Sequence, residues 1–131
     1  MTVVGAHSVA GVDGGPGLPV TGWSREHGDL RVPHFIGLHA IQALALVAAG
    51  LRRWRRPEAV RVRAVLVATA SYALLFVLLL WQALRGQSVT ALDAVGLASI
   101  VAWVVVTSLG AGWVGIAARS ASRGGLDWMT V

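Results

Sequence analysis

An uncharged run of 21 residues, 64–84, leaves this chain few folds other than a membrane-spanning one. As a helix the run would be about 31 Å long, which matches the hydrocarbon core of a bilayer. Its centre, 73–81, reads Ala-Leu-Leu-Phe-Val-Leu-Leu-Leu-Trp. Trp81, near the end of the run, is typical of the aromatic side chains that anchor a helix at the membrane interface. The run therefore predicts a transmembrane helix.

Two further apolar runs, 34–51 and 94–118, have the length of a membrane span. The chain is 56% hydrophobic and 13% charged, whereas a soluble domain is typically about 45–50% apolar and about 25% charged. We therefore expect an all-α polytopic membrane protein, with a three-helix transmembrane bundle. An Arg-rich loop (52–63), a short outer loop (85–93) and a tail (119–131) would connect and end the spans.

The N-terminal segment, 1–33, is rich in glycine and proline. Seven glycines and three prolines lie in it, and that density opposes both helix and strand. We expect a loop-like extracytoplasmic segment. Pro33 would stand at the start of the first span, where proline is well tolerated.

The basic residues predict the orientation. All eleven are arginine. Six lie between the first two spans and two in the tail, against three on the other side. The positive-inside rule then places the N-terminus outside and the C-terminus in the cytoplasm. Arginine without lysine, in a chain rich in Ala, Val and Gly, indicates a high-GC bacterial source and hence the cytoplasmic (inner) membrane.

The same arginines suggest what the chain binds. The formal net charge is +5, but the cations cluster beside apolar spans, so the membrane surface accounts for them better than nucleic acid does. A cluster of this kind also matches anionic lipid headgroups, and its candidate residues are Arg52, Arg53, Arg55 and Arg56. We expect the lipid bilayer as a partner and no nucleic acid.

The segment 22–40 carries a resemblance. Gly-Trp-Ser at 22–24 is followed by Gly-Asp-Leu-Arg-Val-Pro-His-Phe-Ile-Gly-Leu-His-Ala at 28–40. This string resembles the signature segment of a family of uncharacterised bacterial multi-spanning membrane proteins. The resemblance implies a membrane helix ahead of the segment, and thus a short or N-terminally truncated member. The alternative is that residues 1–33, whose net charge is low, are translocated without such a helix.

His39 and Gln42 lie on one stripe of the first span, one to two turns inside its outer boundary. Polar side chains at that depth should face protein or water rather than lipid. Two interpretations stay open: a ligand or proton-handling site, and an interhelical hydrogen-bond pair that fixes packing.

The four histidines are the candidate metal ligands: His7, His27, His34 and His39. With Glu26 and Asp29 they supply enough donors for zinc or copper, although their spacing matches no standard pattern. A haem clamped within one chain is disfavoured, since 34 and 39 lie about 140° apart on one helix and the other spans hold no His, Met or Cys. We expect no cofactor, with haem or a transition metal as the alternative.

The absence of a complete catalytic set shapes the functional prediction. There is no cysteine, which excludes disulfides and thiol nucleophiles. Asp29 and Arg31 could form an acid–base pair, but a weak exposed ion pair explains them better. We expect a structural or accessory membrane component rather than an enzyme, alone or in a homo-oligomer or with other membrane subunits. The alternatives are a haem or metal protein and a transporter or channel subunit.

Overall fold

A computed structural model describes residues 7–11, 13 and 15–123 of the chain. Over these residues the fold is mostly helical. Two short strands pair antiparallel ahead of the helices, β1 with β2. The described elements are β1 (Ser8–Val9), β2 (Gly28–Asp29), α1 (Arg31–Leu38), α2 (Ala40–Arg52), α3 (Glu58–Leu84) and α4 (Ala94–Arg123).

The central helix is α3, which packs against α1, α2 and α4. It begins directly after Pro57, whose backbone is extended (φ −50°, ψ 146°). The Arg-rich segment 52–63, expected to be a loop, is therefore helical at both ends: Arg52 closes α2 and residues 58–63 form the first turns of α3. Arginine favours helix, so α2 extends past its apolar run to Arg52, and α3 begins before its apolar run, at Glu58.

Helix α4 begins at Ala94, with Asp93 as its N-terminal cap. The Asp93 carboxylate accepts the backbone N–H of Gly96 at 2.7 Å, which satisfies one of the free donors of the first turn. The helix runs on to Arg123, beyond the expected end at 118. The remainder of the expected tail, 124–131, lies outside the described residues.

The first expected span, 34–51, is not one straight helix. The helix starts earlier, at Arg31, and α1 and α2 meet at His39 with a bend of 41°. Tyr72 of α3 donates its hydroxyl to the Ile36 carbonyl, 2.7 Å away, in the last turn of α1. A side chain inserted into the hydrogen-bond ladder is a recognised cause of helix kinks. The expectation of one continuous helix over 34–51 is therefore wrong. Periodicity within that segment could not indicate the break, because the Tyr72 hydroxyl that bonds to it lies on another helix.

Contacts with α4 fix the other side of α3. Val60, Val114 and Ala118 form a buried apolar cluster near the arginines. Higher up, a Cβ added at Gly110 would lie 2.9 Å from a methyl of Val67, so glycine lets the two backbones approach closely. The two helices are thus in close contact from the arginine end as far as Val67 and Gly110.

Two helices, α3 and α4, are long and apolar enough to cross a membrane. The bent pair α1–α2 passes the same test only when it is counted as one span. The helical fold and a membrane location for α3 and α4 agree with the sequence. The described residues do not by themselves establish a third span. Below, the loop end is the end of the bundle that carries residues 7–30 and 85–93, and the arginine end carries residues 52–63.

Candidate functional site

Asp29 organises the loop end. Its carboxylate accepts two hydrogen bonds from the Arg31 guanidinium, Nε to Oδ1 at 3.0 Å and Nη2 to Oδ2 at 2.6 Å. It also accepts the backbone N–H groups of Ser24 and Arg31, each at 2.9 Å. Arg31 Nη2 reaches on to the Gly22 carbonyl at 2.7 Å. The weak exposed pair favoured by the sequence is wrong for Asp29, whose side chain is 2% exposed.

The pKa of Asp29 is lowered from 3.8 to about 2. Burial is the largest single influence and would raise the pKa, because it disfavours the charged form. The hydrogen bond from Arg31, the two backbone N–H groups and the charge of Arg31 together outweigh it. The carboxylate is therefore ionised over the whole physiological pH range.

Acidification is expected to weaken the loop end through Asp29. Because its pKa is lower in the fold than in the unfolded chain, the stabilisation is complete above pH 3.8 and is lost as pH falls towards 2. The shift corresponds to about 2 kcal/mol. Melting temperatures in detergent between pH 5 and 2 should fall more steeply for the wild type than for Asp29→Asn. Parallel curves would show that Asp29 does not carry this pH dependence.

Residues 7–30 are fastened to the hairpin between α3 and α4. Gln82, buried in the last turn of α3, donates from Nε2 to the Ser88 carbonyl at 3.0 Å. The Ser88 hydroxyl donates in turn to the Ser24 carbonyl at 2.9 Å. The described residues of 7–30 (7–11, 13 and 15–30) and residues 85–93 thus form one layer, here called the loop layer. Sequence reasoning missed both Gln82 and Ser88, since a glutamine at the end of an apolar run gives no sign of its partner.

The histidines of the first span are exposed. His39 stands at the bend, its Nδ1 2.8 Å from the Phe35 carbonyl and its ring 4.0 Å from the Phe35 ring. His34 borders a shallow apolar depression against Phe76 of α3. Gln42 is exposed as well. An interhelical bond between His39 or Gln42 and another helix is not formed among the described residues, and the functional role proposed for this pair stays a prediction.

The remaining histidines lie in the loop layer. His7 Nδ1 is 3.7 Å from the Asp13 carboxylate. The His27 ring packs against Gly11, where an added Cβ would lie 2.0 Å from it. Over residues 7–11, 13 and 15–123, no three His, Asp or Glu side chains are grouped closely enough to hold a metal ion. The four histidines are therefore not gathered into one site there, and their role as ligands stays a prediction.

An apolar cleft of about 600 Å³ lies along α3, between α2 and α4. It exists because α2 and α4 each pack on α3 but make at most marginal contact with each other over the described residues. We call it the helix cleft. Its lining includes Leu51, Ala68, Ser71, Leu75, Thr107 and Ala111.

The polar groups of the helix cleft bond to each other. The Ser71 and Thr107 hydroxyls are 2.7 Å apart, and Trp103 donates its indole N–H to the Ser71 carbonyl at 2.9 Å. These bonds tie α3 to α4. The sequence does not predict these bonds, because residue spacing within one helix does not determine which residues of a neighbouring helix lie opposite. What remains available in the cleft is apolar surface.

The arginine end contains both exposed and partly buried guanidinium groups. Arg52, Arg53 and Arg55 are exposed, as expected of residues that meet lipid headgroups. Arg56 is half-buried, donates to the Ala118 carbonyl at 3.2 Å and lies over the Trp54 ring. Arg63 lies 5.3 Å from the Trp113 ring. Cation–π pairs of this kind hold charge next to aromatic side chains suited to a membrane interface.

Comparisons with known proteins give no relative from which a role could be transferred. No family model, no curated protein and no solved structure matches the chain. The candidate sites of this chain are therefore judged by their own geometry.

Proposed function

We propose that this chain is a three-span protein of the bacterial cytoplasmic membrane, with the loop layer outside and the arginine end in the cytoplasm. Two helices that could cross a bilayer and a bent pair that could form a third span support this placement. The uneven distribution of the arginines supports the orientation. In this arrangement the bend at His39 lies within the first span, and the Arg56–Trp54 and Arg63–Trp113 pairs lie at the cytoplasmic interface.

Within that placement, we propose a structural or accessory function: the chain packs against another membrane subunit. The helix cleft is the observation that carries this proposal. It extends along α3 from Ala64 to Leu75, about 17 Å or three helical turns. Alanines at 64, 68 and 111 line it, and small side chains let helix backbones approach closely in membranes. We assign it to an apolar transmembrane helix of a different subunit.

The chemistry of the cleft favours a helix over a polar substrate. Ligand sites usually present a few polar groups that orient their ligand. Here the hydroxyls of Ser71 and Thr107 bond to each other, and the Tyr72 hydroxyl donates to Ile36. The resemblance of residues 22–40 to uncharacterised multi-spanning proteins implies no activity that would point elsewhere.

Photo-crosslinking in native membranes tests the assignment. A benzoylphenylalanine placed at Ala111, in the cleft, should give one discrete protein adduct. The same probe at Leu109, which is 68% exposed on α4 and outside the cleft lining, should give lipid adducts. The complex should also be lost from purified Ala111→Trp but retained in Leu109→Trp, with the melting temperatures of the two isolated variants alike.

Three results would contradict the proposal. Lipid adducts alone at both positions would make the cleft a lipid-facing groove. An adduct of twice the chain's mass would assign the cleft to a second copy of this chain. Catalytic turnover by the purified chain alone would replace an accessory function with an enzymatic one.

A further inference from the structure

A second cleft lies at the arginine end, on a different face of α3 from the helix cleft. The turn at 53–57 brings the end of α2 beside the start of α3, and about 300 Å³ of open space lies between them. We call it the arginine cleft. Leu51 lines both clefts, so the end of α2 separates them.

The arginine cleft changes polarity along its length. Its charged end is formed by Arg52, Glu58 and Arg61. Its apolar part is formed by side chains that include Leu51, Val62 and Leu66. On α3 the charged lining residues, Glu58 and Arg61, precede the apolar ones. The lining of the cleft is therefore charged at the end of the helix and apolar towards its middle. A molecule that fits this sequence of environments has an anionic head and a hydrocarbon chain.

Arg61 is a partly buried cation at the charged end of the cleft. Its Nε is buried and has no hydrogen-bond partner among the described residues. Arg61 as a whole is only partly buried and lines the cleft, so its guanidinium charge lies beside the space that a ligand would occupy. Glu58 does not neutralise that charge, because the ion pairs between described residues do not include Glu58. Two guanidinium groups against one carboxylate leave the charged end positive.

We propose that the arginine cleft binds one anionic phospholipid. Its phosphate oxygens accept hydrogen bonds from the guanidinium groups of Arg61 and Arg52, whose planar arrangement of donors suits phosphate. One acyl chain lies along Val62 and Leu66, which are 49% and 61% exposed on the isolated chain. The apolar part of the cleft is the reason to assign a phospholipid rather than a free phosphate, which would contact only the charged end.

This site differs from general attraction to an anionic surface. Exposed arginines near a membrane each contribute electrostatically without a defined position. A bound lipid depends instead on particular side chains. Arg119 provides the matched control, because it is exposed and does not line the cleft, so Arg119→Gln removes the same charge as Arg61→Gln.

The test is native mass spectrometry of the detergent-purified chain, titrated with phosphatidylglycerol and with phosphatidylcholine of the same acyl length. We expect saturable binding of one phosphatidylglycerol, in preference to phosphatidylcholine. Arg61→Gln should weaken it about tenfold, the loss expected for one charge-assisted hydrogen bond. Arg119→Gln should change it less than about twofold, and Arg61→Lys should have an intermediate effect, because lysine keeps the charge but not the planar set of donors.

Val62→Trp tests the apolar part without removing a charge, and it covers the case in which Arg61→Gln does not fold. We expect it to weaken phosphatidylglycerol binding while its melting temperature stays close to that of the wild type. Equal losses for Arg61→Gln and Arg119→Gln, or equal retention of phosphatidylglycerol and inorganic phosphate, would overturn the proposal. The lipid-site proposal rests on the membrane placement proposed above but not on a partner subunit. The titration uses the chain alone, whereas the cross-link at Ala111 tests the helix cleft, so the two proposals can fail independently.

Discussion

Gly28→Ala is expected to detach the loop layer from the helices. A Cβ added at Gly28 would lie 2.0 Å from the Ala83 carbonyl oxygen and 2.9 Å from the Gly86 Cα. Both are backbone atoms at the end of α3, so no side-chain rotation relieves the clash. Overpacking typically costs about 1–3 kcal/mol, and we expect the upper end or more. Thermal unfolding in detergent, with proteolysis of residues 7–30 as a local readout, measures the loss.

The control is Gly112→Ala on α4, where an added Cβ meets nothing within 4 Å. We expect its free energy of unfolding to stay within about 0.5 kcal/mol of the wild type. Similar melting temperatures for Gly28→Ala and Gly112→Ala would mean that β2 does not pack against the end of α3. Both substitutions add one methyl group, and alanine also favours the helical backbone at Gly112, so a loss confined to Gly28→Ala reports on the clash with Ala83 and Gly86.

Asp29→Asn is expected to cost about 2–4 kcal/mol. Removing one partner from a buried ion pair leaves an uncompensated charge, and such losses are commonly about 3–5 kcal/mol. We reduce that range because the Arg31 side chain is 38% exposed and water can still reach part of it. Both carboxylate oxygens of Asp29 accept hydrogen bonds from N–H groups. In asparagine one of the two positions is an NH₂ group, which would face donors in either orientation of the amide. Equilibrium unfolding in detergent at neutral pH gives the measurement.

Asp93→Asn is the matched control for that change. Asp93 also pairs with an arginine, Arg85, at 2.6 Å, but the pair lies at the surface. Asparagine caps a helix about as well as aspartate does, so the cap of α4 should survive. We expect a clearly smaller loss than for Asp29→Asn. Equal losses would show that the burial of Asp29 does not matter for stability.

Hydropathy predicted the helical character of the fold because it depends on composition along one stretch of chain. The run 64–84 needs no partner to be recognised as a helix, and α3 contains all of it. The bend at His39 was not predictable in this way. It involves Tyr72, more than thirty residues away and on a different helix, and no periodicity within 34–51 encodes that contact.

The candidate sites likewise combine features that the sequence predicts with features that depend on contacts between distant residues. Their residue types were visible in the sequence, but their surroundings were not. The sequence places Asp29 two residues before Arg31, whereas the burial of Asp29 depends on the hairpin that packs against the loop layer. Arg61 was counted among the topology-determining arginines, and only the packing of α2 beside α3 distinguishes its Nε from the exposed groups of Arg53 and Arg55.

The bend in the first span has a consequence for how the chain assembles during synthesis. Separately, α1 and α2 have 8 and 13 residues, about 12 Å and 20 Å of helix, and neither crosses a hydrocarbon core of about 30 Å. The hydroxyl that bonds the Ile36 carbonyl belongs to Tyr72, which leaves the ribosome later. In the proposed three-span arrangement, the α1–α2 pair would therefore reach its final shape only after α3 has entered the bilayer, although α1 and α2 are synthesised first.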